Sequence, residues 1–335
     1  MTQRPTGAEP DALVVRRAGD DDLPGVLELA RRSLGWVGGS DDSEFFHWKH
    51  LESPFGPSPM WVALDGDRIV GFRTFLRWQF CRRDGSSVAA VRAVDTATDP
   101  DYQGRGIFTR LTLGALEELR AEGVQMIFNT PNAKSLPGYL KMGWVQVGRL
   151  PTAVMITHFG SVFALATARR AASLSSIAIR VGERASDVFA DGDGVARLLA
   201  VRGSPEGLST ERSQQFFAWR YGYEPLRYRV MLQGSSPADG LVVFRLRRRG
   251  SAVEAVVCDV LVPESDPAVA AVLLREVARR TEATHLIRIH RSLVLRGPFV
   301  RMPRLGPTLT CRLLDGSVAP RLRDWDLTLG DVELF

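Results

Sequence analysis

The stretch Val94-Asp95-Thr96-Ala97-Thr98-Asp99-Pro100-Asp101-Tyr102-Gln103-Gly104-Arg105-Gly106-Ile107-Phe108-Thr109 decides how this chain is read. A β-prone run meets a turn at Asp99-Pro100-Asp101, a glycine-punctuated segment follows, and Arg110 to Ala121 has the apolar spacing of an amphipathic helix. A strand feeding a glycine-rich turn at a helix N-terminus aims several backbone N–H groups and the positive end of the helix dipole at one spot, which suits a pyrophosphate. Gly104 and Gly106 let a ligand approach the backbone with no Cβ in the way. The segment has neither the Lys-Ser/Thr of a P-loop nor the three-glycine dinucleotide fingerprint, which argues against nucleotide hydrolysis and against NAD.

This loop resembles the acyl-CoA loop of the GNAT N-acetyltransferase superfamily, Gln/Arg-x-x-Gly-x-Gly/Ala. Gln103, Gly106 and Phe108 take those places, and Phe108 departs from the small residue expected last. Downstream, Asn132-Ala133-Lys134-Ser135-Leu136-Pro137-Gly138-Tyr139-Leu140-Lys141-Met142-Gly143-Trp144 is similar to the Asn, Tyr and Lys-x-Gly-aromatic close of that family. Upstream, Val14 to Ala18 followed by Asp20-Asp21-Asp22-Leu23 reads as a first strand and an acid-capped helix. Trp61 to Phe72 reads as strand, Asp-Gly hairpin and strand.

An internal echo organises the rest. Phe45-Phe46-His47-Trp48-Lys49 returns as Phe216-Phe217-Ala218-Trp219-Arg220, an offset of 171 that Pro54 and Pro225 share. Val256 to Val260 parallels Val91 to Asp95, and a helix is expected over Pro267 to Arg280. Where the first half carries glycines, the second has Glu264-Ser265-Asp266-Pro267-Ala268-Val269, whose carboxylates would repel a pyrophosphate. The expected class is α/β of the mixed α+β kind: two GNAT-like units, each a central, mostly antiparallel mixed sheet flanked by helices. The expected domains are 11–157 with the acetyl-CoA loop, a helical and Gly-rich connection over 158–205, and a degenerate unit over 206–335. Proteins built from one active and one supporting unit are known in the superfamily.

Composition sets outer bounds. A chain of 335 residues, 45% hydrophobic and 24% charged, is long enough for two domains with their own cores. The net charge of +5 comes almost wholly from arginine, since lysine occurs only at Lys49, Lys134 and Lys141. No basic stripe interleaved with aromatics is present, so nucleic acid is not an expected partner. Arg245-Leu246-Arg247-Arg248-Arg249 reads as a solvated hairpin tip. Cys81, Cys258 and Cys311 form no Cys-x-x-Cys pair, so neither a metal site nor a disulfide framework is expected and a cytoplasmic setting fits. His47 and His50, beside Trp48, read as structural. Phe163 to Ile179 is Ala-rich, yet Arg169 and Arg170 interrupt it short of a membrane span, so it reads as a packed linker helix.

The resemblance implies transfer of an acetyl group from acetyl-CoA to a primary amine of a small-molecule acceptor by direct attack. Backbone groups of Thr96, Ala97 and Thr98 would polarise the thioester carbonyl. The loop Gln103, Gly104, Arg105, Gly106, Ile107, Phe108 and Thr109 would hold the phosphates, with Arg105 or Arg110 offered to them. Asn132 would reach the cofactor or order the loop. Tyr139 stands at the family's acid position, suited to protonating the departing thiolate. The base stays open between Asp95, a water chain and the carboxylate of Phe335, because Arg92 stands where many relatives carry Glu. Chain ends enter the active site in tandem relatives resembling the enhanced-intracellular-survival acetyltransferases. A longer acyl chain, an aminoacyl-tRNA donor and a non-catalytic CoA-binding protein are the competing expectations. The glycine cradle and the lack of a basic face speak against the tRNA reading. Acceptor identity and oligomeric state are left open.

Overall fold

A computed structural model describes residues 13–34, 40–157, 176–190, 192–203, 206–289 and 298–333. In the first half the elements follow as β1 (Val14–Arg17), α1 (Leu23–Leu34), α2 (Ser40–Leu51), β2 (Met60–Asp65), β3 (Arg68–Cys81), β4 (Ser87–Thr98), α3 (Ile107–Ala121), β5 (Met126–Asn129), α4 (Leu136–Lys141), β6 (Val145–Arg149) and β7 (Thr152–Ile156). The second half follows with β8 (Glu183–Arg184), α5 (Ala185–Ala190), α6 (Gly192–Val201), β9 (Ser209–Thr210), α7 (Gln214–Gly222), β10 (Arg229–Leu232), β11 (Leu241–Arg249), β12 (Ala252–Leu261), α8 (Pro267–Thr281), β13 (His285–Ile289), β14 (Val300–Arg301), β15 (Thr308–Leu313) and α9 (Leu329–Val332).

The first sheet runs β1-β2-β3-β4-β5-β15-β6, with β9 paired to β3, and the second β14-β7-β13-β12-β11-β10-β8. Pairing repeats as well as order. β1 and β2 are antiparallel, as are β8 and β10, whereas β4 and β5 run parallel, as do β12 and β13. A parallel neighbour demands a crossover, and α3 and α8 supply it.

Each sheet borrows a strand from the other half of the chain. β15 joins the first sheet, with Cys311 opposite Phe128, and β7 joins the second, with Met155 opposite Leu286. The compact units therefore interleave: residues 1–79, 88–145 and 310–319 form one, and 80–87, 146–309 and 320–335 the other. This corrects the sequential boundaries expected at 157 and 205. Residues 176–190, 192–203 and 206–309 belong to the second unit instead of linking two blocks, and most of the Ala-rich stretch 163–179 lies outside the described residues.

The first unit packs α3 tightly on its sheet. Ile107, Leu111, Ala115 and Leu119 are buried against Trp61, Val70, Phe75, Val91 and Ile127. Gly71 makes the approach possible, since a Cβ there would lie 2.6 Å from Ile107 Cγ2. That contact seats the first turn of α3 on β3 and fixes where its N-terminus points.

One reading of the second unit needs revision. Arg245 is fully buried within β11, and Arg247 pairs with Glu254 and Glu333, so this run is not a solvated hairpin tip. The positive-φ residues of the turn after β12 are Glu264 (φ 50°) and Ser265 (φ 57°), so the chain bends there without glycine.

Candidate active site

β4 carries the site because it outlasts its neighbour's pairing. The β4–β5 ladder ends at Arg92 opposite Phe128, while β4 continues to Thr98. Beyond Arg92 the edge of β4 that faced β5 is released from the ladder, and its peptide groups become available to a ligand. The departure coincides with a distortion at Asp95, whose φ of 33° is uncommon for a residue with a side chain. Thr74 Oγ1 lies 2.9 Å from the Val94 carbonyl oxygen and 3.1 Å from that of Asp95, and Thr96 Oγ1 donates to the Phe72 carbonyl (3.0 Å). Together these bonds hold the bend in β4, with Thr96, Ala97 and Thr98 following it.

Asp95 is held by side chains from α2. Lys49 Nζ lies 2.7 Å and His50 Nε2 2.8 Å from the same carboxylate oxygen, Oδ2, and both α2 side chains are buried. Burial alone would raise the Asp95 carboxyl, but the Lys49 charge and the His50 hydrogen bond outweigh it and hold the group well below the ordinary carboxylate range. Burial lowers the His50 pKa, more than Asp95 raises it. A neutral His50 donates from Nε2 to Asp95 and accepts from Ser58 Oγ at Nδ1 (2.9 Å). His50 thus keeps the structural role expected of it, though its partner is a carboxylate 45 residues away.

The second unit also binds its strand carboxylate, with a different cation. Tyr221, which the offset matches to His50, donates its hydroxyl to Asp259 on β12, and Arg212 pairs with that carboxylate at 2.8 Å, while Arg220, matched to Lys49, donates to the Gly330 and Glu333 carbonyls and the Tyr228 hydroxyl. Lys49 and His50 both hold the Asp95 carboxylate, which opposes its taking a proton from an amine.

Replacing Asp95 with Asn keeps the shape and suits the left-handed backbone, but leaves Lys49 buried without its counter-charge. The first unit is expected to lose about 3–5 kcal/mol, read from urea unfolding at neutral pH. The wild-type pH dependence has a definite sign. His50 and Asp95 both have folded-state pKa values below their unfolded ones, so the unfolded chain binds more protons. Stability is full above about pH 6.5, declines as His50 begins to titrate, and falls again below about pH 4 as the unfolded-state Asp95 protonates.

The turn after β4 is braced before the glycines are reached. Asp99 accepts from the Asp101 N–H and from Arg68, and Arg32 pairs with the same carboxylate. Tyr102 donates to Asp65, with Arg105 stacked over its ring at 4.7 Å. Gly104 (φ 80°) and Gly106 (φ 72°) then bring the chain into α3, with Gly106 as the N-cap and no side chain capping the helix. The first N–H groups of a helix have no intrahelical partner, so this terminus presents unclaimed donors. A Cβ at Gly104 or Gly106 would meet nothing of the protein within 4 Å. The space in front is a cavity of about 310 Å³ lined by Thr98, Tyr102, Gln103, Gly104, Gly106, Ile107 and Phe108.

The corresponding helix α8 is closed to an anion. Pro267 at its start has no N–H, Asp266 caps the Ala268 N–H at 2.7 Å, and α8 begins directly after the Pro263–Ser265 turn, leaving no equivalent of the glycine stretch.

Tyr139 sits in the first turns of α4, buried among Phe108 (ring centroids 5.5 Å, edge-on) and Trp144 (5.3 Å). Its hydroxyl accepts a 2.7 Å hydrogen bond from Arg73 Nη2. Phe108 is therefore a packing partner of Tyr139, which accounts for a ring where the loop pattern has a small residue. Asn132 is used locally: its Oδ1 accepts from the Lys134 and Ser135 N–H groups and orders the entry to α4, leaving its amide nitrogen for a ligand. Arg110 donates to the Leu13 carbonyl, and Phe335 lies outside the described residues. Arg73 was missed from the sequence, although a cation inside the apolar run of β3 was a usable signal.

Among the described residues, no group of three or more His, Cys, Asp and Glu side chains is placed to hold a metal, and no helix is long and apolar enough to cross a membrane.

The parallel strands β4 and β5 part beside the glycine-rich N-terminus of α3, as the resemblance in the sequence leads one to expect. Residues 14–147 match the family model described as an acetyltransferase (GNAT) domain. With the second sheet repeating the strand order of the first, the chain is built from two GNAT-like units. A mycothiol acetyltransferase of Saccharopolyspora erythraea is 29% identical over 154 residues, 42% of this chain and 48% of that protein, so the chain spans about half the length of this relative. A probable N-acyltransferase from Enterococcus faecalis V583 shares the fold at a TM-score of 0.61 and 12% identity, over 90% of this chain and 73% of that one. Eis1 from Mycobacterium abscessus does so at 0.56 and 16%, over 90% and 74% respectively.

Proposed function

We propose that the first unit transfers an acyl group, acetyl in the simplest case, from a CoA thioester to a primary amine of a small molecule. The observation that carries this reading is the uncapped, glycine-lined start of α3 opening on a cavity beside the released edge of β4. Bound there, acetyl-CoA would supply an activated carbonyl. The N–H groups at Gly104 to Thr109 would hold its pyrophosphate, and peptide groups of Thr96, Ala97 and Thr98 would polarise the carbonyl, each such donor contributing about 3 kcal/mol. Tyr139 donates the proton the departing sulfur needs. With Asp95 committed to Lys49 and His50, the amine loses its proton to solvent.

The test is release of free thiol from acetyl-CoA across an amine library, run beside longer acyl-CoA donors. Thiol release that depends on one class of amine supports the reading. Binding of CoA with no turnover for any amine or acyl length would replace it with a non-catalytic CoA-binding role.

A further inference from the structure

Arg73 is a buried cation with unused hydrogen-bonding capacity. It is fully buried on β3, opposite Trp61. Its guanidinium carbon lies 4.9 Å from the Phe75 ring centre, 5.5 Å from that of Phe108 and 5.4 Å from that of Tyr139. Nη2 donates to Tyr139, while Nε and Nη1 are buried with no hydrogen-bond partner. Among the described residues no carboxylate pairs with it. A guanidinium stays protonated in a protein, so burial cannot be relieved by losing the charge, and unpaired N–H groups remove much of what would offset its desolvation. Stability alone does not explain this arginine: attraction to the three rings offsets part of its desolvation, yet Nε and Nη1 stay unpaired where an apolar side chain would bury no such groups. Buried strain of this kind concentrates where charge develops during a reaction.

We infer that Arg73 is a positioning residue for Tyr139, holding the phenol as a proton donor and stabilising the negative charge left on its oxygen. The inference rests on the acyl-transfer reading above. The phenol oxygen receives a hydrogen bond from Arg73, so its one proton is directed to another acceptor. As the C–S bond of the thioester adduct breaks, the electron pair goes to sulfur, and the Tyr139 proton forms the S–H bond. The tyrosinate that remains is paired with the Arg73 cation, then recovers a proton from solvent, to which the attacking nitrogen has given one. Nitrogen loses a proton and sulfur gains one, so the cycle closes.

The experiment is a double-mutant cycle of Arg73→Met and Tyr139→Phe, with Arg73→Lys as the conservative variant. It reads kcat for thiol release, the Kd for acetyl-CoA by calorimetry, and Tm. Arg73→Met is expected to lower kcat at least about tenfold with Kd unchanged within about twofold, since the lost interaction forms only as charge develops. It should add no further loss in the Tyr139→Phe background, and its Tm should stay level or rise. Arg73→Lys should recover part of the rate. A multiplicative loss in the double variant, or a fall in Tm that accompanies the loss of rate, would overturn the assignment. Should wild-type protein release no thiol with any amine, the acyl-transfer reading itself fails. In that event Tm still judges Arg73, and a drop in Arg73→Met would make it an ordinary structural residue.

Discussion

Tyr139→Phe is expected to lower kcat by about 10²–10³-fold while the affinity for acetyl-CoA stays the same. The substitution removes one oxygen from a side chain whose ring contacts with Phe108 and Trp144 survive intact. What disappears is the proton for the leaving sulfur, which without it departs as a thiolate. The lost hydroxyl also leaves Arg73 without its one hydrogen-bond acceptor, so stability should fall by about 1–3 kcal/mol. Steady-state kinetics with calorimetry separates the two effects. A variant that keeps its rate would remove Tyr139 from the chemistry.

Gly106→Val should act on binding instead of turnover, with acetyl-CoA affinity falling at least about thirtyfold. Two causes combine. A β-branched residue at φ 72° costs about 1–3 kcal/mol, which the turn can recover only by reshaping the start of α3. The new side chain also meets no protein atom at its Cβ, so the space it fills is the space in front of the unclaimed N–H groups. The fold should persist, since β3, β4 and the buried face of α3 are untouched. Unchanged affinity in a folded variant would mean the cavity at Gly106 is not where the pyrophosphate lies.

The two expectations rest on features of unequal visibility in the chain. The cradle was legible because its causes are local: a proline-marked turn, two glycines and the apolar face of α3 lie within one short run. The second copy was legible from the aromatic pattern at Phe45 and Phe216, and the repeat of strand pairing agrees with it. The exchange of β7 and β15 was not, because a strand's own residues do not say which neighbour takes its backbone hydrogen bonds. The surroundings of Asp95 were hidden for a related reason. Its electrostatics are set by Lys49 and His50, which the packing of α2 brings in from far along the chain, and proximity of that kind leaves no trace in spacing. Arg245 failed similarly: a run of arginines looks solvated until Glu254 and, much later, Glu333 appear beside it. Arg73 was visible as a charge in an apolar strand, but its meaning depended on Tyr139, which arrives from α4.

The central claim is that one unit grips the coenzyme and its copy does not. Isothermal titration of the full chain with coenzyme A measures this directly. Saturable binding of one molecule per chain is expected, abolished in Gly106→Val and retained in a variant altered at Glu264. Two sites per chain, or no heat at any concentration of coenzyme A, would contradict it.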